Sequence, residues 1–245
     1  MNALNATQSA EIRANAAAAG PKPIKPWTIL RYDTDRFPFA KIISRDVYKV
    51  KQLDLLHEFV KSKRKLLGMS DHLTQKDNLS AIALFQKSTK ESPFYLFYHH
   101  FMQKVLSPLV GSSLSYSSLP NMRVHFPGTD SVSSFHHDIV ATRRMDQMNC
   151  WMPFTDAEGT ATLWLESDYG RGDYAPVPVQ YGEALIFDGG YLGHGSVPNQ
   201  SNGTRISLDM RFSYKGANTR IEGVTLLNQI VQRNESGYGF KRMYR

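Results

Sequence analysis

Residues 205–212 read RISLDMRF, a segment in which charged or hydroxyl side chains alternate strictly with apolar ones. Because successive side chains of a β-strand point to opposite faces of a sheet, this period of two predicts a strand with one apolar and one polar face. The polar face carries Arg205, Ser207, Asp209 and Arg211. It faces either solvent, as on an outer strand, or the inside of a barrel.

The chain that precedes this segment has the same short-strand character from Gly111 onward. Short runs of β-branched and aromatic residues alternate there with clusters of Gly, Pro, Asn, Asp and Ser. The predicted strands are residues 114–117, 121–126, 132–135, 147–154, 161–166, 177–180, 184–187 and 204–214. About eight short strands of this kind are typical of a jelly roll, in which two antiparallel sheets close on each other. We therefore predict a mainly β fold with its core at residues 113–214.

The part of the chain before the strands has apolar residues at helical spacing. We predict helices over residues 46–67, 75–87 and 92–105, which form a helical flank over residues 46–108. Residues 1–26 predict a mobile tail and an extended linker, because the prolines at 21, 23 and 26 prevent a helix. Residues 27–245 then form a single domain with a C-terminal helix at 221–232. That helix could pack on its own barrel or on a second subunit, so the oligomeric state stays open.

Composition limits the classes of site and partner. The chain has one cysteine, Cys150, so neither an intramolecular disulfide nor a thiolate metal cluster is expected, and a metal would need nitrogen and oxygen ligands. Residues 1–20 lack the continuous apolar stretch of a signal peptide or membrane span, which predicts a cytoplasmic protein without membrane contact. The formal net charge is +7, but the basic residues are scattered apart from residues 61–65, and this distribution does not favour nucleic acid as a partner.

A histidine and a carboxylate directly follow one predicted strand, at His136 and Asp138. Strand geometry sends residues two apart to the same side, so these two side chains converge and His137 points away. A third ligand is expected from a distant segment, and His194 follows the apolar run that ends near residue 188. A His-x-Asp triplet alone also arises by chance, and a single histidine is more commonly a buried, hydrogen-bonded core residue.

Two histidines and one carboxylate make a facial triad, which leaves positions on iron(II) open for a bidentate 2-oxo acid and for O2. The strand at residues 205–212 follows His194 in the sequence. If its polar face points into the barrel, Arg205 can bind the distal carboxylate of 2-oxoglutarate bidentately and the Ser207 hydroxyl can add a hydrogen bond. The triad and the Arg-x-Ser pair together favour a site over a chance pattern.

With these residues the sequence resembles the iron(II)/2-oxoglutarate-dependent dioxygenases, whose pattern is His-x-Asp, a distant His and an Arg about one strand later. The resemblance covers residues 121–212. Residues 194–201 (HGSVPNQS), followed by Arg205, resemble the phytanoyl-CoA dioxygenase branch. Residues 122–128 (MRVHFPG) and 165–167 (LES) resemble bacterial antibiotic-biosynthesis oxygenases, including a streptomycin-cluster type.

The resemblance implies a double-stranded β-helix, cupin-like core with flanking helices. It also implies Fe(II) as cofactor, with 2-oxoglutarate and O2 as co-substrates. 2-Oxoglutarate is converted to succinate and CO2 while the substrate is hydroxylated, desaturated or cyclised. Related halogenases replace the carboxylate ligand with a small residue, so the presence of Asp138 disfavours halogenation.

Further candidates share strand faces with these residues. Asn149 would bind a 2-oxoglutarate carboxylate, although this assignment rests only on its expected inward position. Trp151, Arg123, Asp209 and Arg211 are candidate substrate residues. Core packing for Trp151 and surface or mutual ion pairs for the charged residues are the alternatives. The glycine-rich segment 167–174 is typical of a surface loop, and such loops often close over a substrate.

Three functions are compatible with these observations. The first is oxidation of a small polar metabolite, such as an amino acid, an amino sugar or a natural-product intermediate. The second is the same chemistry on a macromolecule such as nucleic acid. The third is a cupin-like protein that binds a metal without catalysis, which the Arg205 and Ser207 pair argues against.

Overall fold

The computed structural model describes Ala10 and residues 27–88, 92–110, 114–144 and 147–214. Apart from Ala10, the predicted tail at 1–26 lies outside the described residues, as does the predicted helix at 221–232. The helices are α1 (Phe39–Ile42), α2 (Leu56–Leu66), α3 (Gln75–Ser88), α4 (Phe94–Phe101), α5 (Ser107–Val110) and α6 (Asp138–Thr142), with π-helical segments at Ile43–Tyr48 and Met102–Leu106. The strands are β1 (Trp27–Arg31), β2 (Leu114–Tyr116), β3 (Asn121–His125), β4 (Met148–Pro153), β5 (Leu163–Leu165), β6 (Ala175–Val177), β7 (Glu183–Phe187), β8 (His194–Gly195) and β9 (Arg205–Tyr214).

The strands form two antiparallel sheets. The large sheet has the order β1-β7-β4-β9-β2, and β3 also pairs with β9. The small sheet has the order β6-β5-β8. This arrangement, with most of the helices between β1 and β2, confirms the predicted jelly-roll core with an N-terminal helical flank.

Strand β9 has the two faces that its sequence predicts. Ile206, Leu208, Met210 and Phe212 are at most 1% exposed and belong to the larger apolar core, which also contains aromatic side chains of α3 and α4. On the opposite face, a second apolar cluster contains residues of both sheets, among them Trp151, Leu165 and Phe187. The polar residues of β9 share that inner face with Trp151, since Asp209 lies directly opposite Trp151 in the ladder. The face therefore points between the sheets and not to solvent.

The predicted strand at 132–135 is wrong. That segment has no strand, and the first ladder contact is the isolated bridge at His136. The Ser131 hydroxyl accepts a hydrogen bond from Ser133 N at 3.0 Å and donates to Ser133 O at 3.1 Å. Local side-chain bonds of this kind compete with a sheet ladder for the backbone groups.

The predicted helix at 46–67 is two pieces. The π-helical segment Ile43–Tyr48 ends at Lys49, which has a left-handed backbone with φ 56° and ψ 45°, and α2 begins only at Leu56. A left-handed residue cannot continue a right-handed helix.

Strands β1 and β8 were not predicted, and β1 pairs along the whole of β7 as the outer strand of the large sheet.

Candidate active site

His136 and His194 lie opposite each other in an antiparallel bridge. His136 N donates to His194 O at 2.9 Å, and His194 N donates to His136 O at 3.0 Å. The centroids of the two imidazole rings are 4.4 Å apart. Two backbone hydrogen bonds thus hold the rings of two distant segments side by side.

Each imidazole uses Nδ1 for a local contact, which leaves Nε2 as the possible metal-binding atom. His136 Nδ1 lies 2.7 Å from Ser134 O, and His194 Nδ1 lies 3.0 Å from Leu192 O. A carbonyl oxygen can only accept, so we assign the ring hydrogen to Nδ1, and the lone pair of a neutral ring is then on Nε2. Burial, together with the neighbouring His136, lowers the pKa of His194 to about 4. The His194 ring is therefore neutral near pH 7.

Asp138 reaches the same point from the start of α6. The backbone of His137 is extended, with φ −117° and ψ 130°, and the helix begins one residue later. Asp138 Oδ1 lies 3.4 Å from His136 Nε2, and Oδ2 lies 3.9 Å from His194 Nε2. The two residues of the His-x-Asp triplet therefore converge, although by a strand-to-helix transition and not on one strand.

The three side chains form a compact donor set. One ligand atom each from His136, Asp138 and His194 lies within 4.8 Å of the other two, and Asp138 and His194 are buried. Burial raises the pKa of Asp138, but its interactions with His136, Arg211, His194 and Asn149 outweigh burial and hold that pKa well below its usual range. An ionised carboxylate and two imidazoles with free Nε2 atoms fit a divalent cation such as iron(II).

Arg205 and Ser207 lie on the inner face of β9, and Arg205 lines one small pocket with His136 and His194. Arg205 is 3% exposed, and its Nη1 donates to Ser196 Oγ at 3.3 Å. Arg205 Nε and Ser207 Oγ are buried without a hydrogen-bond partner among the described residues. Burial and the charge of Arg123 lower the pKa of Arg205 to about 10, so it remains a cation near pH 7. A buried cation with unused donors fits the carboxylate of a 2-oxo acid.

Asn149 and Arg211 both contact Asp138. They face each other across the β4–β9 ladder. Asn149 Nδ2 donates to Asp138 Oδ2 at 2.8 Å, Arg211 Nε donates to Oδ2 at 2.7 Å, and Arg211 Nη2 donates to Oδ1 at 2.5 Å. Their predicted contacts with 2-oxoglutarate and with substrate stay predictions. In this structure both support the candidate metal ligand.

Trp151, Arg123 and Asp209 line the same small pocket as His136, His194 and Arg205. Trp151 is 2% exposed and packs in the inner apolar cluster, with the Arg205 guanidinium 5.8 Å from its ring centroid. Arg123 Nη2 lies 4.0 Å from Asp209 Oδ2. The core-packing role of Trp151 and the pairing of the two charged residues are thus present, and their contacts with substrate remain predictions.

A polar cavity of about 360 Å³ continues from Asp209 and Arg211 along the inner face to Ser213. Hydroxyl groups, side-chain amides and charged groups form most of its wall, including Ser115, Asn121, Arg144 and Gln147. Since Arg211 contacts Asp138, this cavity lies next to the candidate metal ligands. A larger cavity of about 1170 Å³, near Lys41 and Thr204, includes none of the candidate ligands.

Sequence reasoning missed Glu166. Its side chain and that of His137 are both 0% exposed, and Glu166 Oε2 lies 3.4 Å from His137 Nε2. Burial raises the pKa of Glu166, but the contact with His137 and hydrogen bonds from the backbone of Gly172 and Gly193 outweigh burial and lower that pKa. The available signal was a carboxylate that follows the apolar run 163–165 and precedes a loop with two glycines. His137 faces away from the donor set, as strand geometry predicts.

The fold and the site thus define a jelly-roll protein with a candidate mononuclear metal centre. No family model matches the sequence. The chain is similar to the streptomycin biosynthesis protein StrG of Streptomyces griseus, with 29% identity over 190 residues that cover 76% of this chain and 83% of StrG. This relative confirms the predicted resemblance to bacterial antibiotic-biosynthesis proteins of the streptomycin type. The phytanoyl-CoA branch stays a prediction.

Solved structures give weaker similarity. AviO1 from Streptomyces viridochromogenes Tue57 has a TM-score of 0.41 and 20% identity, over 49% of this chain and 61% of AviO1. EctD from S. alaskensis in its apo form has a TM-score of 0.45 and 11% identity, over 87% of this chain and 78% of EctD. At these scores the fold rests on the strand topology of the chain itself. Among the described residues, none of the helices has the length and apolar character needed to cross a membrane.

Proposed function

We propose that this protein is a non-haem iron(II) oxygenase that consumes O2 and 2-oxoglutarate and oxidises a small polar metabolite. The observation that carries the proposal is the donor set of His136, Asp138 and His194, whose ligand atoms lie within 4.8 Å of one another. His136 and His194 of that set line a pocket with the buried cation Arg205. A structural zinc site would have four protein ligands and would not need this cation.

In this proposal the protein positions the reacting groups. His136, Asp138 and His194 hold iron(II), and Arg205 and Ser207 bind the distal carboxylate of 2-oxoglutarate. Arg211 and Asn149 orient the Asp138 carboxylate, and the apolar wall around Trp151 and Phe187 excludes water. When bound, iron(II) supplies the redox chemistry that couples decarboxylation of 2-oxoglutarate to substrate oxidation.

The class of substrate follows from the adjoining cavity. Its volume of about 360 Å³ lies at the lower end of the range for small-molecule sites. Its wall presents hydroxyl, amide and ionic groups, so the expected ligand is small and rich in hydrogen-bonding groups. Hydroxylation, desaturation and cyclisation are all compatible with this site. The similarity to StrG supports a natural-product intermediate as substrate, and the low cysteine content supports a cytoplasmic setting.

The decisive experiment is uncoupled turnover of the purified protein. Anaerobic addition of Fe(II) and 2-oxoglutarate should produce a weak visible charge-transfer band, and O2 should then yield succinate. We expect Asp138→Ala and His194→Ala to abolish the band and to reduce succinate to background, because two ligands hold iron poorly. Asp130→Ala, which removes an exposed carboxylate outside the donor set, is the matched control and should behave like wild type.

Other outcomes separate the alternatives. Bound iron without a band or succinate would favour the cupin-like, non-catalytic protein. Salt-sensitive binding of random oligonucleotides would favour a nucleic-acid substrate. A screen of polar metabolites for stimulated succinate release would then identify the substrate.

A further inference from the structure

Glu166 is a buried carboxylate that the proposed chemistry does not use. It follows β5 directly, and its side chain is 0% exposed. A buried carboxylate is costly unless its oxygens accept hydrogen bonds or face a cation. Its partners therefore indicate what this residue does in the fold.

The partners of Glu166 come from both segments that carry candidate metal ligands. Gly193, the residue before His194, donates its N–H to Glu166 Oε2 at 2.8 Å, and Glu166 N donates to Gly193 O at 3.0 Å. His137, the residue between His136 and Asp138, places its Nε2 3.4 Å from the same Oε2. One carboxylate thus contacts the direct neighbours of all three candidate ligands.

The remaining partners belong to the glycine-rich loop at 167–174. Gly172 N donates to Glu166 Oε1 at 2.6 Å, and Gly170 N donates to Oε2 at 3.1 Å. The same loop packs near the His136 segment, since the rings of Phe135 and Tyr174 are 4.1 Å apart. The loop therefore contacts the metal-ligand segments through both Glu166 and Tyr174.

The contacts of Glu166 with the backbone before His194 require a glycine at position 193. A Cβ atom at Gly193 would lie 2.7 Å from Glu166 Oε2 and 2.7 Å from the Tyr174 hydroxyl. Only glycine lets the backbone before His194 approach the carboxylate this closely. Gly193, Glu166 and Tyr174 therefore pack closely together, with no space for a larger residue at position 193.

We propose that Glu166 is a positioning residue that fixes the spacing of the three metal ligands and links metal binding to the order of the 167–174 loop. This inference rests on the metal site of the proposed function. Partners behind the ligands fix ligand orientation, and their removal typically lowers metal affinity by about 10- to 100-fold. Because Glu166 also holds Gly170 and Gly172, metal binding and loop order stabilise each other.

The test compares two isosteric variants of the same region. Glu166→Gln replaces one carboxylate oxygen by an NH2 group, which cannot accept from the backbone N–H groups. Asp173→Asn is the control, because Asp173 holds the same loop through Ser167, at 3.1 Å from Ser167 N and 2.6 Å from Ser167 Oγ. Anaerobic Co(II) titration measures affinity, and the d–d bands of bound Co(II) report ligand geometry. Thermal melts of the metal-free proteins measure stability separately.

We expect Glu166→Gln to bind Co(II) about 10- to 100-fold more weakly, with altered d–d bands. We expect Asp173→Asn to lose affinity by a smaller factor than Glu166→Gln, with unchanged bands, because it loosens the loop but leaves the contacts of Glu166 with Gly193 and His137 in place. A purely stabilising role for Glu166 would lower the melting temperature and leave affinity and bands of the folded protein unchanged, which overturns the inference. Equal losses in both variants overturn it as well.

The linkage is also testable in the unmodified protein. Hydrogen exchange should show that Co(II) slows exchange at the Gly170 and Gly172 amides in wild type. Unchanged exchange at both amides on saturation with Co(II) overturns the linkage, even if Glu166→Gln does not fold. Failure of wild type to bind Co(II) would instead refute the metal site of the proposed function, so the two failures are distinguishable.

Discussion

The two faces of β9 differ in what their buried side chains contact, although the residues of the two faces alternate one by one along the strand. Ile206, Leu208, Met210 and Phe212 are buried among apolar side chains of the larger core. On the inner face, Arg205 Nε and Ser207 Oγ are buried without partners, and Arg211 pairs with Asp138. One strand therefore contributes folding free energy on one face and keeps hydrogen-bonding capacity on the other. Substitutions at neighbouring positions should separate the two contributions.

The largest expected effect is a loss of stability from Phe212→Ala. Phe212 is 0% exposed in the larger core, and truncation of a buried phenylalanine typically costs about 3 to 5 kcal/mol. Urea unfolding of the metal-free protein measures this loss. Co(II) affinity of the folded fraction should be unchanged, since the side chain points away from the ligands.

Phe212→Leu serves as the control and should recover most of the loss, because leucine fills much of the same space. A stability change below about 1 kcal/mol in Phe212→Ala would contradict the assignment of this face to the core.

The second effect concerns the inner face, at Arg205. Arg205→Ala should weaken 2-oxoglutarate binding by roughly 2 to 4 kcal/mol, because a charged hydrogen-bonding partner of a carboxylate is lost. The unfolding free energy should change little, since removal of a buried, incompletely hydrogen-bonded cation offsets the packing that is lost. Measurements are the 2-oxoglutarate titration of the charge-transfer band and urea unfolding.

Arg205→Lys keeps the charge but not the bidentate geometry, so its affinity should fall between those of wild type and the alanine variant. Wild-type 2-oxoglutarate affinity in Arg205→Ala would show that the carboxylate binds elsewhere.

The alternation in residues 205–212 was sufficient to predict both faces of β9, because side-chain direction in a strand follows from sequence position alone. The convergence of His136, Asp138 and His194 was predicted for a related reason, although the strand at 132–135 was wrong. A side chain's direction over two extended residues does not depend on whether the segment is paired in a sheet. The predicted side-chain directions of His136 and Asp138 were therefore correct, although the predicted strand before them was wrong.

The contacts of Arg211, Asn149 and Glu166 depend on which residues face each other across the fold. Asn149 reaches Asp138 together with Arg211 because the β4–β9 register places the two side by side. Alternation does not fix that register. Glu166 ends an apolar run, where a carboxylate is usually exposed, and its burial depends on N–H groups of the adjacent glycine-rich loop and of the distant Gly193. The helix predicted at 46–67 failed at Lys49 because apolar spacing carries no information about one left-handed residue.

The third prediction tests whether Arg211 orients the Asp138 carboxylate or binds the substrate. Arg211→Ala should lower Co(II) affinity by roughly tenfold, because Asp138 loses two of its hydrogen bonds and only Asn149 still orients it. Calorimetric titration with Co(II) measures this change. Arg211→Lys should lose less, because it keeps a positive charge near the carboxylate.

The sequence predicts a substrate contact for Arg211 instead. In that case Co(II) affinity would equal that of wild type, and only the KM for the substrate found in the screen would rise. This outcome would assign Arg211 to the polar cavity and leave Asn149 as the residue that orients Asp138.

The smallest effect is the one that separates the two faces most directly. Ser207 is 0% exposed and its hydroxyl has no partner among the described residues, so the metal-free protein carries the cost of an unsatisfied buried group, about 1 to 3 kcal/mol. Ser207→Ala should therefore leave the melting temperature unchanged or raise it by about 2 to 4 °C. It should also weaken 2-oxoglutarate binding by about 1 kcal/mol through loss of one hydrogen bond.

Leu208→Ala, one residue away on the other face, should do the reverse, with lower stability and unchanged 2-oxoglutarate affinity in the folded protein. A stability loss in Ser207→Ala as large as that in Leu208→Ala would mean that the inner face also contributes to folding, and the division of labour on β9 would be refuted.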